Sequence, residues 1–102
     1  MLEAKLMEAE RLTWEDVERG LVGVGKIRIL RVMIERPEEY FTKYMLEKAT
    51  GLKPVDVRRS LKTLVELGWV KEHPCDPKTY RVNMENEAVK ALAELFRKLK
   101  RL

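Results

Sequence analysis

The stretch KPVDVRRSLKTLVELGWV, residues 53–70, places Arg58, Arg59 and Lys62 close together on a segment with helical apolar spacing. Their chemistry is anion recognition. An arginine fork pairs with a phosphate or with the O6 and N7 edge of guanine, and a lysine offers a point charge. Projected at about 100° per residue, Val57, Leu61 and Leu64 fall in one narrow sector, flanked by Val65 and Leu67. The opposite side carries Val55, Arg59, Lys62 and Glu66, with Arg58 and Thr63 at its edges. The apolar side must pack, so the basic side faces outward. It is then either a solvated face or a surface for an anion.

No other cluster in the chain suggests reaction chemistry. His73, Cys75 and Asp76 stand near one another, but metal sites usually take three or four ligands, and these read as surface turn residues. Gly20, Gly23 and Gly25 are not followed by the Lys-Ser/Thr pair of a phosphate loop. One histidine and one cysteine assemble no nucleophile–base pair. The expectation is a protein that is not an enzyme and uses no metal or cofactor.

Length and composition narrow the class. A chain of 102 residues suits one small domain with one modest core, a size that dimerisation often reinforces. A single cysteine excludes an intrachain disulfide. No apolar run approaches the ~18 residues a membrane span needs, and MLEAKLMEAER lacks a signal-peptide core. The expectation is a cytoplasmic protein with no membrane partner. The absence of Gln and the wealth of Lys, Glu and Arg resemble the thermophile balance of ion pairs over labile amides. The net charge is +4, but it is unevenly spread: residues 1–24 carry −3, residues 25–83 carry +5 and residues 84–102 carry +2. Positive charge in the middle of the chain suits a polyanion such as nucleic acid.

The elements that position these residues follow from periodicity and punctuation. Leu2, Leu6, Ala9 and Leu12 have helical spacing. Thr13 with Asp16 either caps a new helix, TWEDVERGLV, or lies within a continuing one. GKIRILRVMIER follows, with Ile27, Leu30, Met33 and Ile34 on one face, and Pro37 ends it. PEEYF is a turn with a short extended piece at Tyr40 and Phe41. Thr42 is the expected N-cap of KYMLEKAT, and Gly51 the residue just past its C-terminal end. Pro54 suits the first position of the next helix, Asp56 favours its dipole, and Gly68 lies beyond its end. WVKEH and KTYRVN, joined by PCDP, read as a hairpin. ENEAVKALAELFRKLKRL is strongly helical, with Val89, Leu92, Phe96 and Leu99 in one stripe that Leu95 and Leu102 widen.

The order is helix, helix, turn, helix, hairpin, long terminal helix. With GKIRILRVM, TKYMLEKATGLKPVDVRRSLKTLVELGWVKEH and TYRVN, it resembles a winged helix-turn-helix domain over residues 25–83. It looks most like the archaeal and bacterial MarR, ArsR and PadR regulators. The resemblance implies a mainly α fold with a small β-hairpin. The N-terminal helical extension would span 1–24, and the C-terminal helix 84–102. It also implies a DNA-binding transcription regulator with helix 54–67 in the major groove of double-stranded DNA. Val55, Arg58, Arg59, Lys62 and Thr63 are then the groove candidates, with Val55 against a thymine methyl. Asp56 and Glu66 stay out of the groove. Thr42, Lys43 and Tyr44 begin the helix that crosses the backbone. The wing, residues 69–83, offers Lys71, Lys78 and Arg81 to phosphates.

The resemblance further implies a homodimer whose terminal helices pair across a two-fold axis through Leu2, Leu6, Val89, Leu92, Leu95, Phe96 and Leu99. The alternative is that both helices pack back on their own domain. With no separate sensor domain, no small-molecule effector is expected. Two other functions compete: a winged-helix module for protein–protein contact, and a non-specific architectural DNA binder.

Overall fold

The computed structural model describes residues 13–100. The expected helix over 2–12, with Leu2 and Leu6, lies outside them, as does Leu102. Among the described residues the order is α1 (Trp14–Leu21), α2 (Val24–Glu35), α3 (Lys43–Thr50), α4 (Pro54–Glu66), β1 (Val70–His73), β2 (Thr79–Val82) and α5 (Glu87–Lys100). No helix among them is long and apolar enough to cross a membrane.

The punctuation operates where the sequence placed it. Thr13 begins α1 by accepting a hydrogen bond from the Asp16 amide at 3.1 Å, so a new helix starts there. Thr42 does the same for α3 through the Met45 amide. Such caps satisfy an orphan donor and stabilise by about 1 kcal/mol. Gly51 ends α3 with φ +74°, a left-handed conformation that costs other residues a backbone clash. Its amide bonds the Glu47 carbonyl, and the chain turns directly into α4 with Pro54 in the first turn. At the far end of α4 the Trp69 amide bonds the Leu64 carbonyl and the Gly68 amide bonds Val65, the paired bonds of a Schellman ending. Asn86 caps α5 by accepting from the Ala88 and Val89 amides.

The core lies where α2, α3 and α4 meet and continues beneath the hairpin. Ile29, Leu30, Met33, Leu46, Val57, Leu61 and Leu64 are buried from the helices, and Phe41, Trp69, Tyr80 and Val82 close it below. Full burial of each large apolar side chain stabilises by roughly 1.5–3 kcal/mol. Gly20 is part of this packing. A Cβ there would stand 2.2 Å from the Trp69 ring, so only glycine lets α1 lie against it. The three glycines that break the sequence pattern therefore include one that fixes a contact.

The expected face of α2 is corrected. Ile29, absent from it, is fully buried with Leu30 and Met33, whereas Ile27 and Ile34 are half-buried toward α5. The helix packs on α3 and α4 on one side and on α5 on the other, so its apolar surface wraps further than one stripe. The expected hairpin forms with Val70 opposite Val82, Lys71 opposite Arg81, Glu72 opposite Tyr80 and His73 opposite Thr79. Phe41 adds a third extended piece, exchanging backbone hydrogen bonds of 2.8 and 2.7 Å with Tyr80.

Candidate nucleic-acid interface

The site is built on α4. Val57, Ser60, Leu61 and Leu64 are buried on one side, which fixes the rotation of the helix on the core. Arg58, Arg59 and Lys62 are left exposed on the other. Ser60 was not anticipated. Its hydroxyl sits where a Cβ on Gly25 would come within 3.1 Å, so the contact with α2 is tight there.

A cleft of about 320 Å³ runs between α4, the start of α3 and the hairpin. It gathers Lys43, Arg58, Lys62 and Lys78 around a floor that includes Leu61, Val65 and Tyr80. Among the described residues, neither Lys43 nor any of the three α4 cations stands in an ion pair. Four cations from three elements thus converge with little internal neutralisation, and Lys78 alone of them reaches an acid, Glu72 at 3.6 Å.

Two acids line the same cleft. Glu72 stands on the cleft face of β1. Glu66 lines it as well and stands 3.5 Å from Arg19 of α1. Its place follows from α1 folding back beside α4, a contact invisible in the pattern of α4 alone. Burial, reinforced by the neighbouring Glu72 carboxylate, raises the Tyr80 hydroxyl above the usual tyrosine range. Strand alternation together with the cross-strand register was the signal for Glu72 and Tyr80. That register needs the turn length, which PCDP did not specify.

The remaining candidates divide. Val55 and Thr63 are half-buried and Arg59 is exposed, all outside the cleft. Thr42 spends its hydroxyl as acceptor on the helix cap. Tyr44 is 63% exposed with the Lys48 ammonium 5.3 Å from its ring centre, so it does not pack on the core edge. Lys71 and Arg81 sit on the hairpin face opposite Glu72 and Tyr80, away from the cleft. Arg81 donates to the Tyr40 hydroxyl at 3.3 Å and lies 5.2 Å from its ring centre. The His73 ring meets Tyr40 edge-on at 4.7 Å, and its Nε2 is buried with no hydrogen-bond partner among the described residues. Cys75 is an exposed free thiol, and no metal-binding group forms among the described residues.

The expected pairing surface contracts. Val89 is fully buried and Leu92 is 9% exposed, so both belong to this chain's own core. The reason is position along α5, whose first half rests on the body. Further along, Leu95 and Leu99 are 49% and 54% exposed, with Phe96 half-buried beside them. They stand beside a second, larger cleft between α2 and α5, which Leu99 and Phe96 line and the Glu35–Lys100 ion pair of 3.2 Å spans.

No protein-family model matches the chain, and no curated protein matches it either. Solved structures do. A MarR family transcriptional regulator from Silicibacter pomeroyi matches with a TM-score of 0.62 at 18% identity, over 98% of this chain and 70% of that one. A homodimeric winged helix-turn-helix DNA-binding domain from Mycobacterium bovis, described as possibly of the ArsR family, also matches at 0.62. It shares 20% identity over 96% of this chain and 81% of that one. A possible transcriptional regulator from Methanosarcina mazei matches at 0.51 with 17% identity, over 95% and 77%. Helix order, the α3–α4 turn, the hairpin and these likenesses agree: the chain has the winged helix-turn-helix fold.

Proposed function

We propose that this protein is a DNA-binding transcription regulator that seats α4 in the major groove of a duplex. The observation that carries the reading is the convergence of Arg58, Lys62, Lys43 and Lys78 on one cleft, with the first three in no ion pair among the described residues. A helix about 10–12 Å across fits a major groove about 12 Å wide. Arg58 and Arg59 present forks to base edges or phosphates, and Lys43 and Lys78 flank them as backbone contacts. Tyr44, exposed at the start of α3, extends that backbone line.

The reading includes a homodimer. Leu95, Leu99 and part of Phe96 form an apolar surface at the far end of α5, and the Mycobacterium bovis neighbour is homodimeric. A two-fold arrangement would set two copies of α4 about 34 Å apart on a palindromic site. A second reading, a module that binds another protein, is favoured by the apolar lining of the α2–α5 cleft.

The test is titration of a labelled random-sequence duplex at several salt concentrations. DNA binding through α4 predicts a steep salt dependence that shrinks in Arg58→Ala/Arg59→Ala, since each lost phosphate contact lowers the slope by about 1. A wild type with no affinity at low salt, or a variant that binds as well, would turn the reading to the protein-binding module.

A further inference from the structure

The two faces of the hairpin carry different charge. Side chains alternate across a strand, so Val70, Glu72, Tyr80 and Val82 point to the core and cleft, while Lys71, His73, Thr79 and Arg81 point away. The outward face bears no acid from either strand. Lys71 and Arg81 stand directly opposite each other, a like-charge pair that destabilises a hairpin unless an anion relieves it. Among the described residues neither is ion-paired. The nearby Glu39 is committed to Arg36 at 3.1 Å, while Glu38 on the same turn and Asp76 at the hairpin tip are exposed.

The third member of the row is Tyr40, which precedes the Phe41 bridge and is 47% exposed. It holds the Arg81 guanidinium over its ring and accepts one of its N–H bonds. Arg81 is thereby oriented with its other donors available, and the Tyr40 hydroxyl keeps its own proton to donate. The His73 ring meets the Tyr40 ring edge-on. A pre-ordered guanidinium, a phenol O–H and an ammonium, on a face to which neither strand contributes an acid, match a phosphodiester backbone.

We propose that this outer face, formed by Tyr40, Lys71 and Arg81, is a second nucleic-acid surface. It takes the phosphates of a duplex other than the one seated on α4. The inference rests on the DNA-binding reading of α4, because the cleft cations and the outer cations lie on opposite sides of the hairpin. A protomer would then join two DNA segments.

The experiment captures a labelled duplex on an immobilised one through the protein, and measures affinity for a single duplex in parallel. Lys71→Gln/Arg81→Gln should cut capture by about tenfold while changing single-duplex affinity by less than about twofold, matching loss of outer phosphate contacts only. Tyr40→Phe keeps the ring and should weaken capture less. Thermal melting confirms that each variant folds. Capture that survives Lys71→Gln/Arg81→Gln overturns the proposal, as does a wild type that binds one duplex and never captures a second. So does single-duplex affinity that falls as far as in Arg58→Ala/Lys62→Ala, since the outer face would then touch the same duplex. Polyglutamate binding to this face without capture overturns it in favour of an acidic protein partner. Unchanged duplex binding by Arg58→Ala/Lys62→Ala is a different failure, that of the α4 reading.

Discussion

Helices α4 and α5 are both amphipathic and both carry basic outer faces, yet their cations are used differently. On α5, Lys90 pairs with Glu87, Arg97 with Glu94 and Lys100 with Glu35, and only Lys98 is in no ion pair among the described residues. On α4, Arg58, Arg59 and Lys62 have no ion-pair partner among the described residues. The apolar sides differ in the opposite sense. That of α4 is buried over its whole length, whereas that of α5 emerges from the body at Leu95 and Leu99. Charge alone therefore does not mark a binding helix. Unpaired charge on a helix whose other side is immobilised suits an anion better, because no internal acid must be displaced and little further ordering is required.

The contrast can be broken most strongly through the core. Leu64→Ala should lower unfolding free energy by about 2–5 kcal/mol, because it leaves a cavity under α4. Leu99→Ala, at a half-exposed site, should change it by less than about 0.5 kcal/mol in the monomer. Urea midpoints compare the two, and similar losses would mean that α5 is as firmly seated as α4. The charge contrast comes next. Arg58→Ala/Lys62→Ala should weaken duplex binding by about 1–3 kcal/mol per base-contacting arginine and lower the salt slope by about 2. Lys90→Ala/Arg97→Ala should shift affinity by less than about twofold, as expected where screened surface pairs are lost. Equal losses from both helices would erase the distinction.

The apolar contrast gives a third test. Leu95→Glu/Leu99→Glu should move the protein to monomer in sedimentation velocity with its far-UV spectrum unchanged. A dimer that persists would place the pairing surface elsewhere. The smallest effect concerns Tyr80 beneath the cleft. Its folded-state pKa is raised, by burial first and by Glu72 second. The neutral hydroxyl thus contributes stability that is full below the unfolded-state value of about 10 and is lost as pH rises through the folded-state value. Urea midpoints should fall more steeply across this alkaline range in wild type than in Tyr80→Phe, and Glu72→Gln should lessen the fall.

Helix boundaries were the most legible part of the chain. Thr42, Gly51, Pro54 and Gly68 each act on backbone groups within a few residues, so their meaning is carried locally. The rotation of α4 was equally legible, since Val57, Leu61 and Leu64 must face the core wherever the core lies. The site was legible only in part. Arg58, Lys62, Lys43 and Lys78 do meet in one cleft, whereas Lys71 and Arg81 share the wing but not its cleft face. Val89 and Leu92 show the same limit, because a stripe records apolarity and not which body covers it.

By itself the sequence determined the elements among residues 13–100, their order and the side of α4 that must be buried, for these follow from short-range sterics and the cost of exposing apolar surface. Tertiary structure alone decided that Gly20 admits Trp69, that Glu66 meets Arg19, and which cations keep a partner. Those outcomes depend on distances between segments far apart in the chain. The register and packing of the whole fold set them, not the neighbours of any one residue.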